Sequence, residues 1–252
     1  MSDIQYAMIT SEGRPDFTEQ TSILTSAVWP EFMLHDPVSA LFTDLYEKLG
    51  KYQFALVEKT TGEWIAMGNS IPLAFDGNPA DLPDTGWDWA LQKGVHDHDT
   101  GRKPTILCAI QVVTSPAFKS KGMSIEAVRV MKSIGVEHGL KEMIAPVRPS
   151  LKSQYPLTPI DDYINWNNTD GLPFDPWMRV HARLGAKVIK PCPLAMRISG
   201  TIAEWESWTE MRFPQSGKYI IPGALRPVDF DIEADRGVYV EPNVWMHHQP
   251  NE

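Results

Sequence analysis

The stretch that most constrains this chain runs from Thr105 to Leu140. Ile106-Leu107-Cys108-Ala109-Ile110-Gln111-Val112-Val113 is almost wholly apolar and uncharged, which predicts a strand covered on both faces; Pro116 ends it by withholding a backbone donor. Beyond Gly122, the residues Met123, Ala127, Val130, Met131 and Ile134 recur at three- and four-residue steps, while Glu126, Arg129 and Lys132 fall on the other side. That pattern is an amphipathic helix, and Gly139 is placed to end it. The segment therefore reads as strand, tight loop, helix.

A helix that begins on a short glycine-containing loop presents unpaired backbone N–H groups at the positive end of its dipole. Lys119 and Lys121 stand beside those donors, so the loop suits a pyrophosphate. Neither common nucleotide fingerprint, G-x-G-x-x-G or G-x-x-x-x-G-K-[ST], occurs in the segment.

Composition narrows the class of partner. A net charge of −9 argues against a nucleic-acid surface and against anionic membranes, so a polyanionic ligand needs a local basic patch, for which Lys119 and Lys121 are candidates. With 42% hydrophobic and 22% charged residues, a chain of 252 residues can bury a full core as one enlarged domain or two small ones. No apolar run approaches a membrane span, and the start, Met1-Ser2-Asp3-Ile4, lacks a basic region followed by an apolar core; the expected location is the cytoplasm. Cys108 and Cys192 offer neither a disulfide framework nor metal-ligand spacing, and both are expected as reduced thiols.

In order, the chain predicts a strand at Ile4 to Ile9, a helical segment at Phe17 to Ala27, and a stronger helix from Asp36 to Leu49 with Asp36 as cap. Phe54 to Val57 and Trp64 to Gly68 make a hairpin around Gly62. Residues 73–103 are an excursion, expected as a lid, a substrate wall or a contact surface, with His96-Asp97-His98-Asp99 a polar turn rather than a metal site. Glu142 to Val147 is a further strand ending at Arg148-Pro149-Ser150. Residues 149–174 carry Tyr155, Tyr163, Trp166 and the acids Asp161, Asp162 and Asp170, which suit a cationic or amine acceptor or else pack among themselves. Asp175-Pro176 caps a helix that Gly185 ends; strands at Lys187 to Ile189 and Leu194 to Ile202 follow. Residues 203–252 are an aromatic, proline-containing extension expected to return along the surface or to meet another subunit, as in a homodimer.

Two segments carry a resemblance. The loop resembles the coenzyme A loop of the GNAT N-acetyltransferase superfamily, written Q/R-x-x-G-x-G/A: Lys119 stands for Gln or Arg, Gly122 for the central glycine, and Ser124 for the last small residue. The helix after Asp175 resembles one that ends in Y-x-x-x-G-F, with His181 at the tyrosine and Ala186 at the phenylalanine. The preceding order of strand, helix, helix, strand, strand is also the one such domains show.

The resemblance implies an α/β fold with a mixed central sheet flanked by helices, spanning 1–202 with insertions at 73–103 and 149–174. It implies acetyl-coenzyme A or another acyl-coenzyme A as co-substrate and no metal. Backbone groups of Gln111, Val112 and Val113 would bind pantetheine, and Lys119, Ser120, Lys121, Gly122, Met123 and Ser124 the diphosphate. Arg148 would open the acceptor side, with Tyr155, Asp162, Tyr163 and Trp166 available to the amine. By the same resemblance His181 would protonate the departing thiolate. Gln111 cannot act as a base, which leaves Asp175, Asp162 or relayed water. The leading expectation is acetyl transfer to an amine of a small molecule or peptide. A non-catalytic acyl-coenzyme A-binding module and another thioester reaction, such as malonyl decarboxylation, are the alternatives.

Overall fold

The apolar segments assemble into one sheet in a computed structural model, which describes residues 4–249. The first three residues, read above for a leader, lie outside the described residues. Strands β1 (Tyr6–Thr10), β2 (Gln53–Glu58), β3 (Trp64–Leu73) and β4 (Ile106–Thr114) are successively antiparallel, and β5 (Met143–Val147) then lies parallel to β4. The sheet is thus mixed, as expected.

Helices α1 (Phe17–Ser26), α2 (Phe42–Lys48), α3 (Gly86–Asp99) and α4 (Met123–Glu137) divide between the two faces of the sheet. Alternation along the strands explains the division. Ala55, Met67 and Val113 point one way and pack with Phe17 and Leu24 of α1. Phe54 and Gly68 point the other way, and a Cβ on Gly68 would meet the Phe54 ring at 2.4 Å and Met131 of α4 at 3.1 Å. Glycine there lets the α4 layer close onto the sheet.

Three expectations change. The helix read over Asp36 to Leu49 is two pieces, a 3-10 turn at Pro37–Leu41 followed by α2. The excursion at 73–103 contains α3, whose Trp87, Ala90, Leu91, Gly94 and Val95 face the core, so His96 to Asp99 end a helix instead of forming a turn. Residues 203–252 are no surface appendage: β9 (Arg236–His248) lies antiparallel to both β5 and the long strand β6 (Ala186–Gly200), which absorbs both predicted strands. The short strands β7 (Gly217–Tyr219) and β8 (Val228–Asp231) continue the sheet beyond β9, so its core runs through residue 202 without a boundary. Helices α5 (Ile160–Tyr163), α6 (Pro176–Arg183) and α7 (Ile202–Thr209) complete the chain; α6 sits beside α4 and β6. Among the described residues no helix is long and apolar enough to cross a membrane.

Candidate active site

The parallel pairing of β4 with β5 covers only Leu107 with Met143 and Cys108 with Ile144, after which the strands part. Just past that point Asn69 faces Gln111 while Ser70 faces Ala109, leaving Ile110 as an extra residue. Such a bulge sharpens the local twist and re-aims backbone groups. The Ile110 carbonyl is taken by Trp87 Nε1 at 2.9 Å, which pins α3 against the bulge. Gln111, Val112, Ala145 and Pro146 lie along the opened gap, where no partner strand claims their inner backbone groups.

A cavity of about 830 Å³ runs through this gap. At one end stand Lys119, Ser120 and Ser124. Gly122, at φ 81°, and Ser120, at φ 64°, both adopt left-handed backbone, and the amides of Ser120, Gly122, Met123 and Ser124 donate to no protein atom among the described residues. Successive free N–H groups at the start of a 15-residue helix form an anion-binding concavity. The amides of Lys119 and Lys121 are already used in turns, to Pro116 and Phe118, and Lys121 Nζ lies 4.7 Å from the Phe118 ring centroid. The diphosphate expectation therefore rests on four amides and Lys119. Val113 is buried against Phe17 and Leu24 of α1 and does not line the cavity, so only its backbone could serve a ligand.

The cavity is lined further by Trp29, Phe42, Tyr46, Trp87 and Trp177, and by Arg148, His181, Glu241 and Asn243. Thr18, Thr21, Ser22, Thr25 and Ser26 form one hydroxyl-bearing wall, because their spacing puts them on a single face of α1. That spacing was readable in the sequence, though only as an apolar-poor helix face. Arg148 lines the cavity as expected, but Nε is 2.9 Å from both Glu241 oxygens and Nη2 donates to Gly223 O at 2.6 Å. Tyr239 donates its hydroxyl to Glu241 Oε2 at 3.0 Å. No local signal in the sequence ties Glu241 to Arg148.

His181 is buried and lines the cavity; its Nδ1 is 2.9 Å from His248 Nε2, which leaves Nε2 for the cavity. Burial, with the neighbouring His248 ring second, pushes His181 down to about 3, so the imidazole is neutral at ordinary pH. A standing proton for the thiolate is therefore not stored on this ring.

Five sequence candidates fall elsewhere. Asp175 is a structural cap, accepting from Trp177 N, Met178 N, Leu151 N, Ser150 Oγ and Tyr163 OH, and it does not line the cavity, so it is not placed to take a proton from a substrate there. Tyr163 is buried and spends its hydroxyl on Asp175, while Tyr155 and Trp166 pack against it at a tilt and meet Phe174 edge to face. Asp162 is exposed on α5. None of these five lines the cavity, because residues 149–174 pack their aromatics among themselves. Lys152, buried, fastens this loop by donating to Tyr155 O and Leu225 O. Among the described residues no three His, Cys, Asp or Glu side chains are grouped to hold a metal ion.

A sheet split beside a helix start with free amides, and a buried histidine lining the split, fits the class of acyl-coenzyme A-dependent acyltransferases. The chain is 30% identical to arginine N-acetyltransferase avaD of Aspergillus versicolor, over 96% of its own length and 93% of that protein's. Among solved structures it is similar in fold to the loading GNATL domain of CurA from Lyngbya majuscula, with TM-score 0.64, 16% identity and coverage of 97% and 98% of the two chains. It is also similar to the GphF GNAT-like decarboxylase in complex with isobutyryl-CoA, with TM-score 0.53, 13% identity and coverage of 96% and 98%. No family model matches the chain. The chain belongs to the GNAT superfamily and is an acyl-coenzyme A-dependent N-acetyltransferase.

Proposed function

We propose that the acceptor is the amino group of arginine or of a closely similar cationic amino acid. The observation that carries this is the cavity lining beyond Lys119, Ser120 and Ser124: five aromatic side chains and five hydroxyl-bearing residues of α1. A planar guanidinium stacks on aromatic faces and donates to hydroxyl oxygens around its edge, so such a wall binds it without a buried unpaired carboxylate. The relative's activity toward arginine supports the same reading.

In this reading the acyl thioester lies along Gln111, Val112 and the β5 edge, with its diphosphate on the Ser120 to Ser124 amides and Lys119. His181 Nε2 takes the proton that the amine loses as its nitrogen bonds to the acyl carbon. The same nitrogen returns that proton to sulfur as the carbon–sulfur bond breaks. Neutral His181 suits a carrier of this kind better than a general acid, since it starts with an open site for the proton. Trp177, with its ring centroid 4.7 Å from that of His181, fixes the imidazole from the cavity side.

The test is release of free thiol from acetyl-coenzyme A with arginine, lysine or tryptamine as acceptor. Arginine is expected to give the highest kcat/KM. A preference for tryptamine, or no stimulation by any of the three amines, would overturn this choice of acceptor.

A further inference from the structure

We propose that Arg148 is a specificity-determining residue, whose uncommitted guanidinium nitrogen binds the α-carboxylate of the amino acid that accepts the acyl group on its α-amine. The inference rests on the acceptor being an amino acid of the arginine type, and it adds the residue that recognises the acid end of that molecule.

A guanidinium offers N–H donors on all three nitrogens, and here the protein claims two of the three. Nε donates to Glu241, 2.9 Å from both carboxylate oxygens, and Nη2 donates to the Gly223 carbonyl. Nη1 donates to no protein atom among the described residues. Arg148 lines the cavity and its side chain is 17% exposed, so what remains for a ligand is the Nη1 edge. The group is also held still: the Trp29 ring centroid lies 5.4 Å from Cζ, and the wholly buried Glu241 is gripped in turn by the Tyr239 hydroxyl. A fork fixed in this way loses little freedom when it binds.

Charge decides what the free edge binds. Among the described residues that line the cavity, the side chains of permanent charge type are Lys119, Arg148 and Glu241. Lys119 belongs to the loop that opens α4, and Glu241 is spent on Arg148 and Tyr239. An α-carboxylate taken out of water needs a counter-charge, and Arg148 is the cation left to supply it. Glu241 behind the guanidinium makes the pair neutral overall, which suits a monoanion and disfavours a doubly charged phosphate. Position agrees with this choice. Arg148 directly follows β5, the strand that borders the gap. In an α-amino acid the carboxylate is one carbon away from the attacking nitrogen, so its partner has to stand beside the acyl carbon.

The experiment compares three acceptors on the full-length protein: arginine, agmatine, which lacks the carboxylate, and argininamide, which carries an uncharged amide in its place. The agmatine amine is more basic than that of arginine and the argininamide amine less so, so amine basicity cannot lower both analogues together. With acetyl-coenzyme A saturating, both are expected to fall at least about a hundredfold below arginine in kcat/KM, because a site built around a hydrogen bond rejects an analogue that lacks the partner. Equal kcat/KM for all three would overturn the role of Arg148 and leave the cationic acceptor in place. No turnover of any of the three would overturn that reading of the acceptor and this proposal with it.

Arg148→Lys assigns the effect to this side chain, since it keeps a counter-charge for Glu241 and loses the planar fork. The ratio of kcat/KM for arginine over agmatine should fall by about tenfold or more, while KM for acetyl-coenzyme A stays within about twofold. Equal losses on both acceptors, with the ratio kept, would mean that Arg148 acts through structure alone and would overturn the proposal. A raised KM for acetyl-coenzyme A with the ratio kept would give Arg148 to the co-substrate and overturn it as well. If Arg148→Lys does not fold, the wild-type comparison of the three acceptors decides.

Discussion

Arg148 Nε lies 2.9 Å from both carboxylate oxygens of Glu241, bridging the end of β5 to β9 across 93 residues of sequence. The Arg148 guanidinium also sits over the Trp29 ring, 5.4 Å from its centroid. Glu241 is wholly buried, so the pair and Tyr239 hold one end of the cavity in shape. Arg148→Ala leaves that carboxylate without its counter-charge and should destabilise the protein by about 3–5 kcal/mol. Urea unfolding reads this directly, and Arg148→Ala combined with Glu241→Gln should recover part of the loss; a stable single variant would show that water already reaches the pair.

Asp175 gives the opposite expectation for activity. Asp175→Ala removes the cap of α6 and orphans the Leu151 amide and the Tyr163 hydroxyl, at a cost of about 2–4 kcal/mol. Turnover per folded molecule, measured well below the lowered melting temperature, should remain within about threefold, with the pH profile unmoved. Loss of one limb of that profile would return Asp175 to the reaction.

Lys119 and Lys121 are adjacent in the loop and unequal in the structure. Lys119 lines the cavity, whereas Lys121 rests on the Phe118 ring. Lys119→Glu should weaken acetyl-coenzyme A binding by at least about tenfold and Lys121→Glu by clearly less, as isothermal titration would record. Equal losses would mean the loop rearranges on binding.

Asp36 Oδ2 and Asp88 Oδ1 are both sealed from solvent without a donor. Burial first, then the Asp36 charge, pushes Asp88 up to about 8. A folded value above the unfolded 3.8 means that native protein holds a proton the unfolded chain releases between those values. This group's stability contribution is thus complete below the unfolded value and is lost as pH rises through about 8. Asp88→Asn should flatten the fall of Tm across that window and exceed wild type at its alkaline end. Parallel Tm curves for the two proteins would place the proton elsewhere.

Local physics explains which parts of this were readable in the sequence. The strand, loop and helix around Gly122 announce themselves because apolar run, positive-φ glycine and helical stripe lie within about 35 consecutive residues. The α6 cap was readable for the same reason, since Asp175 reaches amides two and three residues on. Helix α3 was obscured by Gly94 and the His-Asp run, although Gly94 is there because a Cβ would strike Ile71 at 2.2 Å. His248 beside His181, Glu241 beside Arg148, and β9 in the sheet depend on pairing across 67 and 93 residues, and no local pattern encodes that. The aromatics of residues 149–174 have the composition of a binding site, yet they pack on one another because burial is available there.

In the proposed complex a diphosphate sits on the free amides from Ser120 to Ser124 while the acyl arm follows the gap between β4 and β5. Melting the protein with acetyl-coenzyme A and, separately, with acetyl-pantetheine, which lacks the diphosphate, tests it most directly, because a ligand specific to the folded form raises Tm with its affinity. A clear rise with acetyl-coenzyme A and little or none with acetyl-pantetheine at equal concentration is the predicted result. No rise with acetyl-coenzyme A, or equal rises with both, would contradict it.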